Sequence, residues 1–330
     1  MLKNNLKIRK AIISEKKEIR NFILNCFYKK KHILALSSKL FNWQYINYSL
    51  SCTLAFSRKK IIGLQLYIPT SQFDLRLKKN KEFFTSLWFT KKTSIISLGA
   101  KIFLYTLKTN KPKLVIGMGI PPYLINFHKK NGFVIKKMSH HFMFLPKKDL
   151  KIQNKSKIKR IYSFSKIEEN NFKKLFSYQS PKKSIRYLEN RFINHPIYKY
   201  YIYSINIKKK KCLCVFRLVR HKNKNIIRIV DYVGSNDFIK NLKEFYVFIL
   251  RKYKAQYLDF YSYGLSNTLL KKSGLKNKDD FKNLIIPNHF EPFENKNIDI
   301  FIAYLSFYKK NANIRLFKAD SDMDRPHYID

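Results

Sequence analysis

Acidic residues are scarce in this chain of 330 residues: 21 Asp plus Glu stand against 68 Lys plus Arg, a formal net charge of +47. Arginine is scarce too, supplying 13 of those cations against 55 lysines. A dedicated nucleic-acid binder draws on Arg for bidentate contacts to phosphate and guanine, so charge carried by lysine argues against that class. Lys, Asn, Ile, Phe and Tyr are all served by A/T-rich codons, and their shared abundance reads as codon bias. What survives is a basic cleft suited to phosphorylated substrates such as nucleotides or coenzymes, and compatible with peripheral contact at an anionic membrane. Eight Gly and ten Pro are too few for a linker-rich or collagen-like chain. The four cysteines, Cys26, Cys52, Cys212 and Cys214, form no CxxC pair and no zinc spacing. They read as reduced core thiols, with no metal cofactor. No apolar run after Met1–Lys10 is long enough for a signal-peptide core or a membrane-spanning helix, and a cytoplasmic location is expected.

What the chain does hold is core material. Hydrophobic residues make up 45% of it and aromatics 16%, which disfavours disorder. Its length exceeds what one core supports, so two domains are expected. The pattern predicts a strand at Lys7–Ile13, a helix over Ser14–Tyr28 and a short helix at Ile33–Leu40. A hairpin follows at Thr53–Ser57 and Ile61–Ile68, then a strand at Glu82–Thr90, a helix at Leu98–Leu107 and a buried strand at Leu114–Ile120. Pro121–Asn131 reads as a helix closed by Gly132, and Val134–Leu145 as the last strands of this half.

The second half repeats the order. Strands are predicted at Ile158–Phe164, Tyr200–Ile207, Cys212–Val219, Ile226–Val233, Tyr257–Tyr261, Asp299–Leu305 and Ile314–Ala319. Helical stretches are predicted at Glu168–Phe176, Lys183–Asn194, Phe238–Tyr253 and Asn267–Lys272, the last capped by Gly274. A gapless shift of about 142 residues lays Phe83–Thr90 on Asn225–Tyr232, Gly99–Ile120 on Asn241–Ser262 and Phe127–Phe133 on Leu269–Leu275. The chain therefore reads as two copies of one α/β unit, a mixed sheet with helices on both faces. The division is set at 1–150 and 151–330, with the boundary near Pro146–Ser156.

Several residues invite a chemical reading. His140 and His141 are adjacent in a strand, point to opposite faces and read as structural. Asn194-His195-Pro196 ends a helix and launches a strand, which puts Arg191, His195 and Tyr198 near a rim. Asp320, Asp322 and Asp324 alternate in a chain poor in acids, followed by Arg325. An EF-hand is excluded, since Gly at its sixth position and Glu at its twelfth are missing. This run is expected to fold back onto basic surface or to meet a substrate amine or hydroxyl.

The order of elements over residues 5–145, with Ile125–Phe133 (INFHKKNGF) after the fifth strand, resembles the GNAT (Gcn5-related) acyltransferase family. Two copies in one chain resemble tandem-GNAT groups such as the Fem-type aminoacyltransferases and N-myristoyltransferases. The resemblance implies an acyl-CoA donor in residues 1–150, held by a loop whose backbone N–H groups cradle the pyrophosphate. That loop falls on Ser94–Gly99, where only Gly99 matches the family glycines and Ser97 replaces the other. Ser97, Leu98, Gly99 and Ala100 are therefore the implied cofactor-binding residues. Trp88, Phe89 and Thr90 would polarise the thioester carbonyl. His128, where the family often has Tyr, would be the general acid toward the CoA thiolate. Residues 151–330 would be a degenerate copy, with Asp231 as one candidate base.

Phe41–Tyr45 (FNWQY), His195–Tyr200 (HPIYKY) and the Asp320–Arg325 run also resemble GNAT-like proteins of bacterial surface-polysaccharide gene clusters. That resemblance implies transfer of an acyl group, acetyl being the first choice, to an amino or hydroxyl group of a sugar. Trp43, Tyr45, Arg191, His195, Tyr198, Asp322, Asp324 and Arg325 would face that substrate. Two alternatives stay open from sequence: an aminoacyl-tRNA-dependent Fem-type transferase, and a basic module for nucleic acid or an anionic surface.

Overall fold

The computed structural model describes residues 6–27, 31–146, 157–164, 171–207, 210–288, 293–308 and 313–325. The chain divides into two compact units. One comprises Met1–Ile135, Ile302–Lys309 and Arg325–Asp330, and the other Lys136–Phe301 and Lys310–Asp324.

In the first unit, strand β1 (Leu6–Lys10) is followed by helices α1 (Lys16–Cys26), α2 (Ile33–Leu36) and α3 (Ser38–Tyr45). Strands β2 (Cys52–Ser57) and β3 (Lys60–Pro69) form the expected hairpin. Arg58 and Lys59 take positive φ, 48° and 68°, as the tight turns of right-twisted hairpins require. Next come β4 (Glu82–Thr90), α4 (Leu98–Asn110), β5 (Leu114–Met118), α5 (Ile125–Lys130) and β6 (Val134–Lys137). The sheet order is β1-β2-β3-β4-β5-β14-β6, where β14 is Phe301–Ser306. β4 and β5 are parallel, and β14 runs antiparallel to β5. α4 packs on this sheet through Leu98 and Ile102, which cluster with Ala55 and Ile62.

The second unit holds β7 (Ser139–Phe144), β8 (Lys157–Ile161), β9 (Tyr200–Ile207), β10 (Lys210–His221), β11 (Lys224–Val233), β12 (Ala255–Tyr263), β13 (Lys276–Asn277) and β15 (Leu316–Phe317). Its sheet order is β13-β7-β12-β11-β10-β9-β8, with β15 paired to β12 and with β11 and β12 parallel. Phe216, Ile227, Ile229, Leu258 and Phe260 bury one face of the sheet against the helix Lys243–Lys252, where Phe245 and Ile249 meet them. Each such side chain contributes about 1.5–3 kcal/mol on burial. The 142-residue offset holds at the level of elements. α5 maps onto the helix Asn267–Lys272, and the glycine that ends each takes positive φ, 80° at Gly132 and 85° at Gly274.

The structure departs from the sequence pattern in several places. Val134–Leu145 was expected to supply the last strands of the first half, but only β6 does so. β7 pairs with β12, His140 opposite Tyr261, and the place beside β5 is taken by β14. Alternation of apolar and polar residues looks the same whichever sheet a strand joins, so pattern alone could not choose. The predicted strand Ile314–Ala319 shortens to β15. The predicted helix 183–194 is one turn, Ile185–Leu188, continued by a wider π turn at Glu189–Ile193. The stretch expected as a helix from Pro121 begins with a 3-10 turn, Pro122–Leu124. Residues 147–156 of the expected boundary, and 168–170 of the expected helix there, lie outside the described residues.

Candidate functional site

Within the first unit, β4 and β5 pair from Glu82 opposite Leu114 to Thr85 opposite Gly117, and β4 then runs on beside β3 to Thr90. Between Thr85 and Trp88, β4 carries one residue more than β3 does between Gln65 and Tyr67. Such a bulge bends a strand and increases its twist, which parts β4 from β5. The Tyr45 hydroxyl fixes the bulge, lying 2.7 Å from Ser86 Oγ while it accepts from Gln44 Nε2 at 2.8 Å. Lys91 N donates to the Ile62 carbonyl at 2.9 Å. Antiparallel alternation therefore turns Phe89 toward β3 and the N–H groups of Trp88 and Thr90 toward the parted β5 edge.

α4 begins beside this opening. Ser97, at φ 56°, is its N-cap, so the N–H groups of its first turn form a positive pole. The Trp88 indole lies against that turn: a Cβ added to Gly99 would stand 3.2 Å from Trp88 Cζ2. The ring stacks on Phe103 at 5.2 Å and tilts against Phe127 at 5.6 Å. Phe89 points the other way, against Phe22 and Phe27.

His128 does not suit the acid role. It is 2% exposed, ringed by Phe103, Phe127 and Phe133, and burial pushes its pKa down to about 4. A neutral imidazole in an aromatic shell has no proton to give at neutral pH. Trp43 packs on Phe73 at 4.9 Å, and its carbonyl accepts from Gln72 Nε2, a structural use of that residue.

In the second unit the counterpart of this opening is filled by the chain itself. β11 and β12 pair in parallel as far as Ile229 opposite Phe260. Beyond that, Leu316 and Phe317 pair with Tyr263 and Ser262, and Ala319 N donates to the Val230 carbonyl at 3.0 Å. Since Ser262 faces Ser139 of β7 along its other edge, β15 lies on the β11 side. Arg315 Nη1 donates to the Gly234 carbonyl at 2.7 Å. Lys183 Nζ meets Asp231 at 2.9 and 2.8 Å and Asp320 at 2.9 Å, all three side chains 1% exposed. Burial disfavours the ammonium, but the two carboxylates more than offset it and hold the Lys183 pKa up. Burial, aided by Asp231, raises Asp320 to about 6 against the pull of Lys183. Asp231 thus has both oxygens on Lys183 and also accepts from Tyr232 N. It is a buried ion-pair partner, which overturns its reading as an acceptor base.

The sheet face opposite the apolar core of this unit carries a row of polar residues. Register aligns Tyr200, Arg217, Arg228 and Asp259 across β9, β10, β11 and β12. Arg228 grips Asp259 through Nε at 3.1 Å and Nη2 at 2.8 Å. His140 Nε2 lies 3.4 Å from the same carboxylate, and its ring stacks on Tyr261 at 3.8 Å. Burial alone would raise Asp259, but Arg228 and His140 hold it well below the usual carboxylate range.

Residues 318–324 border the row. The Tyr200 hydroxyl donates to Asp324 Oδ2 at 2.8 Å, and Arg191 Nη2 to the Ala319 carbonyl at 2.9 Å. Arg217 lies 3.8 Å over the Tyr198 ring, which stacks on His195. His195 Nδ1 accepts from Ile197 N and Tyr198 N, a turn cap, and burial drives its pKa down to about 2. Burial, and then Arg228, push the Lys318 pKa well below that of a free lysine.

Of the residues expected to face substrate, Arg191, His195, Tyr198 and Asp324 come together at this row. Asp322 accepts from Ser321 Oγ at 3.1 Å beside it, while Trp43, Tyr45 and Arg325 belong to the first unit. Arg217, Arg228, Asp259 and Lys183 were missed. Three of them carried a signal, a charge between apolar neighbours in a strand: Phe216-Arg217-Leu218, Ile227-Arg228-Ile229 and Leu258-Asp259-Phe260. A buried charge survives there only when paired or used. Among the described residues no group of three or more His, Cys, Asp or Glu could hold a metal ion, and no helix is long and apolar enough to cross a membrane.

No protein-family model matches the chain, and no curated protein matches it in sequence. Solved structures do. The chain is similar to a Pyrococcus horikoshii protein named as a candidate acetyltransferase, with TM-score 0.54 and 12% identity over 97% of both chains. It is similar to a GCN5-related N-acetyltransferase from Anabaena variabilis, with TM-score 0.59 and 13% identity over 92% of this chain and 73% of that one. A third, from Kribbella flavida and of the same description, gives TM-score 0.51 and 7% identity over 91% and 71%. Coverage of nearly the whole chain extends the likeness to both units.

Proposed function

On the GCN5-related N-acetyltransferase fold, carried twice in this chain, we propose an acyl-CoA-dependent acyltransferase whose donor lies between the parted ends of β4 and β5 in the first unit. One observation carries the reading. The first unit's strands part at Thr85 and Gly117 beside the start of α4, whereas the same place in the second unit is occupied by Leu316–Ala319. The names of the similar structures support acyl transfer as the reaction class.

In this reading the N–H groups of the first turn of α4 receive the pyrophosphate, aided by the positive pole of a 13-residue helix. The N–H groups of Trp88 and Thr90 accept the negative charge that develops on the thioester oxygen. An amine or hydroxyl of the acceptor attacks the carbonyl carbon, the C–S bond breaks, and the acyl group leaves CoA for the acceptor. CoA departs as the thiolate, the acceptor's proton passing to water. The acceptor we assign is an amino or hydroxyl group of a sugar.

The test combines hydrogen exchange with transfer. Acetyl-CoA at about its millimolar working range should protect the amides of Ser97–Ala100 and slow exchange at Trp88 and Thr90. Absence of protection there would remove the donor site. Labelled acetyl transfer to amino sugars, run beside charged tRNA as donor, distinguishes acyl-CoA from aminoacyl-tRNA chemistry.

A further inference from the structure

The polar row of the second unit has more hydrogen-bonding capacity than its neighbours use. Arg217 is 5% exposed, yet its Nε and Nη1 donors have no hydrogen-bond partner. Asp324 is fully buried, and its Oδ1 has none either; Arg217 Nη2 stands at 3.8 Å from it, beyond hydrogen-bonding distance. His140, 4% exposed, has its Nδ1 in the same condition. Buried groups of this kind are costly when left unpaired, and more so when charged. They also share one sheet face, because Arg217 and Arg228 are cross-strand neighbours and His140 lies beside Asp259.

The chemistry of what would complete them is legible. The guanidinium N–H groups want an anionic acceptor, and the unused Asp324 oxygen wants a hydroxyl or amine donor. Two guanidinium groups stand in the row itself, Arg228 held by Asp259 and Arg217 at 3.8 Å from Asp324. Lys318 lies beside the row, 4.9 Å from the Tyr261 ring.

We propose that the row centred on Arg217 and Asp324 is a binding site for a small anion that also carries hydroxyl groups, its carboxylate or phosphate on Arg217 and a hydroxyl on Asp324. Tyr198, against the Arg217 guanidinium, and Tyr200, bonded to Asp324, flank the site, and residues 318–324 border it. The inference does not rest on acyl transfer, because binding is read without turnover.

The chain's charge of +47 will collect anions at its surface, so the titration runs in about 0.3 M NaCl, where exposed sites are screened. Glucuronate, glucose 6-phosphate, glucose and inorganic phosphate are the probes, followed by calorimetry and thermal shift. Glucuronate or glucose 6-phosphate should bind about tenfold or more tightly than glucose or phosphate alone, and which of the two wins names the anion. Arg217→Lys keeps the charge but loses the Nε and Nη1 donors, and should weaken binding about tenfold. Asp324→Asn should weaken both hydroxylated anions and leave bare phosphate no weaker. If either variant fails to fold, the arginine Nε–H resonances of the unmodified protein replace it: one buried resonance should shift on titration. Failure of every probe at about 10 mM, equal binding by Arg217→Lys, or unmoved Nε–H resonances would each overturn the site.

Discussion

Lys183 holds two carboxylates at once, and the three charges share an interior that would accept none of them singly. Lys183→Met should destabilise the protein by about 3–5 kcal/mol in urea unfolding, because it strands Asp231 and Asp320 without a cation. Adding Asp320→Asn to that variant should recover part of the loss. Histidines act in the opposite sense. His128 and His141 are both driven by burial to about 4, below the ordinary histidine value near 6.5. Between those values the unfolded chain binds more protons than the folded one, so stability falls as pH drops from 6.5 toward 4. Each contributes up to about 1.4 kcal/mol per pH unit. Urea midpoints for His128→Leu should depend less on pH across that window. Sequence pattern marked His128 and Asp231 as chemically interesting, and both are, as buried titratable groups. It could not tell use from burial, because the phenylalanine shell and the Lys183 partner are tertiary facts. The Asp320–Asp324 run was legible as something selected, and its partners Lys183, Tyr200 and Ser321 explain the selection.

At the scale of elements, the parted strands of the two units differ in a way that substitutions can separate. Gly264 takes φ 81°, and a Cβ there would come within 1.9 Å of the Ile314 carbonyl oxygen. Gly264→Ala should therefore dislodge β15 from its place beside β12, at a cost of about 1–3 kcal/mol, and residues 313–320 should become the first site of proteolysis. Gly99→Val addresses the other opening. Its side chain would push on the Trp88 indole, raising KM for acetyl-CoA about tenfold with a smaller change in kcat, if α4 and Trp88 position the donor. Steady-state kinetics on the two variants separates the units, since Gly264→Ala should leave that KM unchanged. The alternation that predicts strands located β4, β5, β11 and β12 well. It was silent on where two parallel strands part, because that depends on a bulge of a single residue between Thr85 and Trp88.

For the whole molecule, the repeat at an offset of about 142 residues was readable from lysine-rich sequence only because glycines and apolar runs kept step with it. The exchange of strands was not readable: β7 leaves the half that encodes it, and β14 returns to complete the other sheet. Fragments 1–150 and 151–330 should each express as aggregating chains and become soluble together when co-expressed, as gel filtration of the pair would report. The exchange also sets a timetable. β5 ends at Met118, but its neighbour β14 begins at Phe301, so a ribosome must add more than half of the chain before that edge is paired. β7 likewise waits for β12, and β12 for β15. Neither sheet can close before these late strands are made, and pairings this distant fold slowly. Nascent chains held at residue 290 should still bind ribosome-associated chaperones through open strand edges, and release should follow synthesis of β14 and β15 rather than of either half.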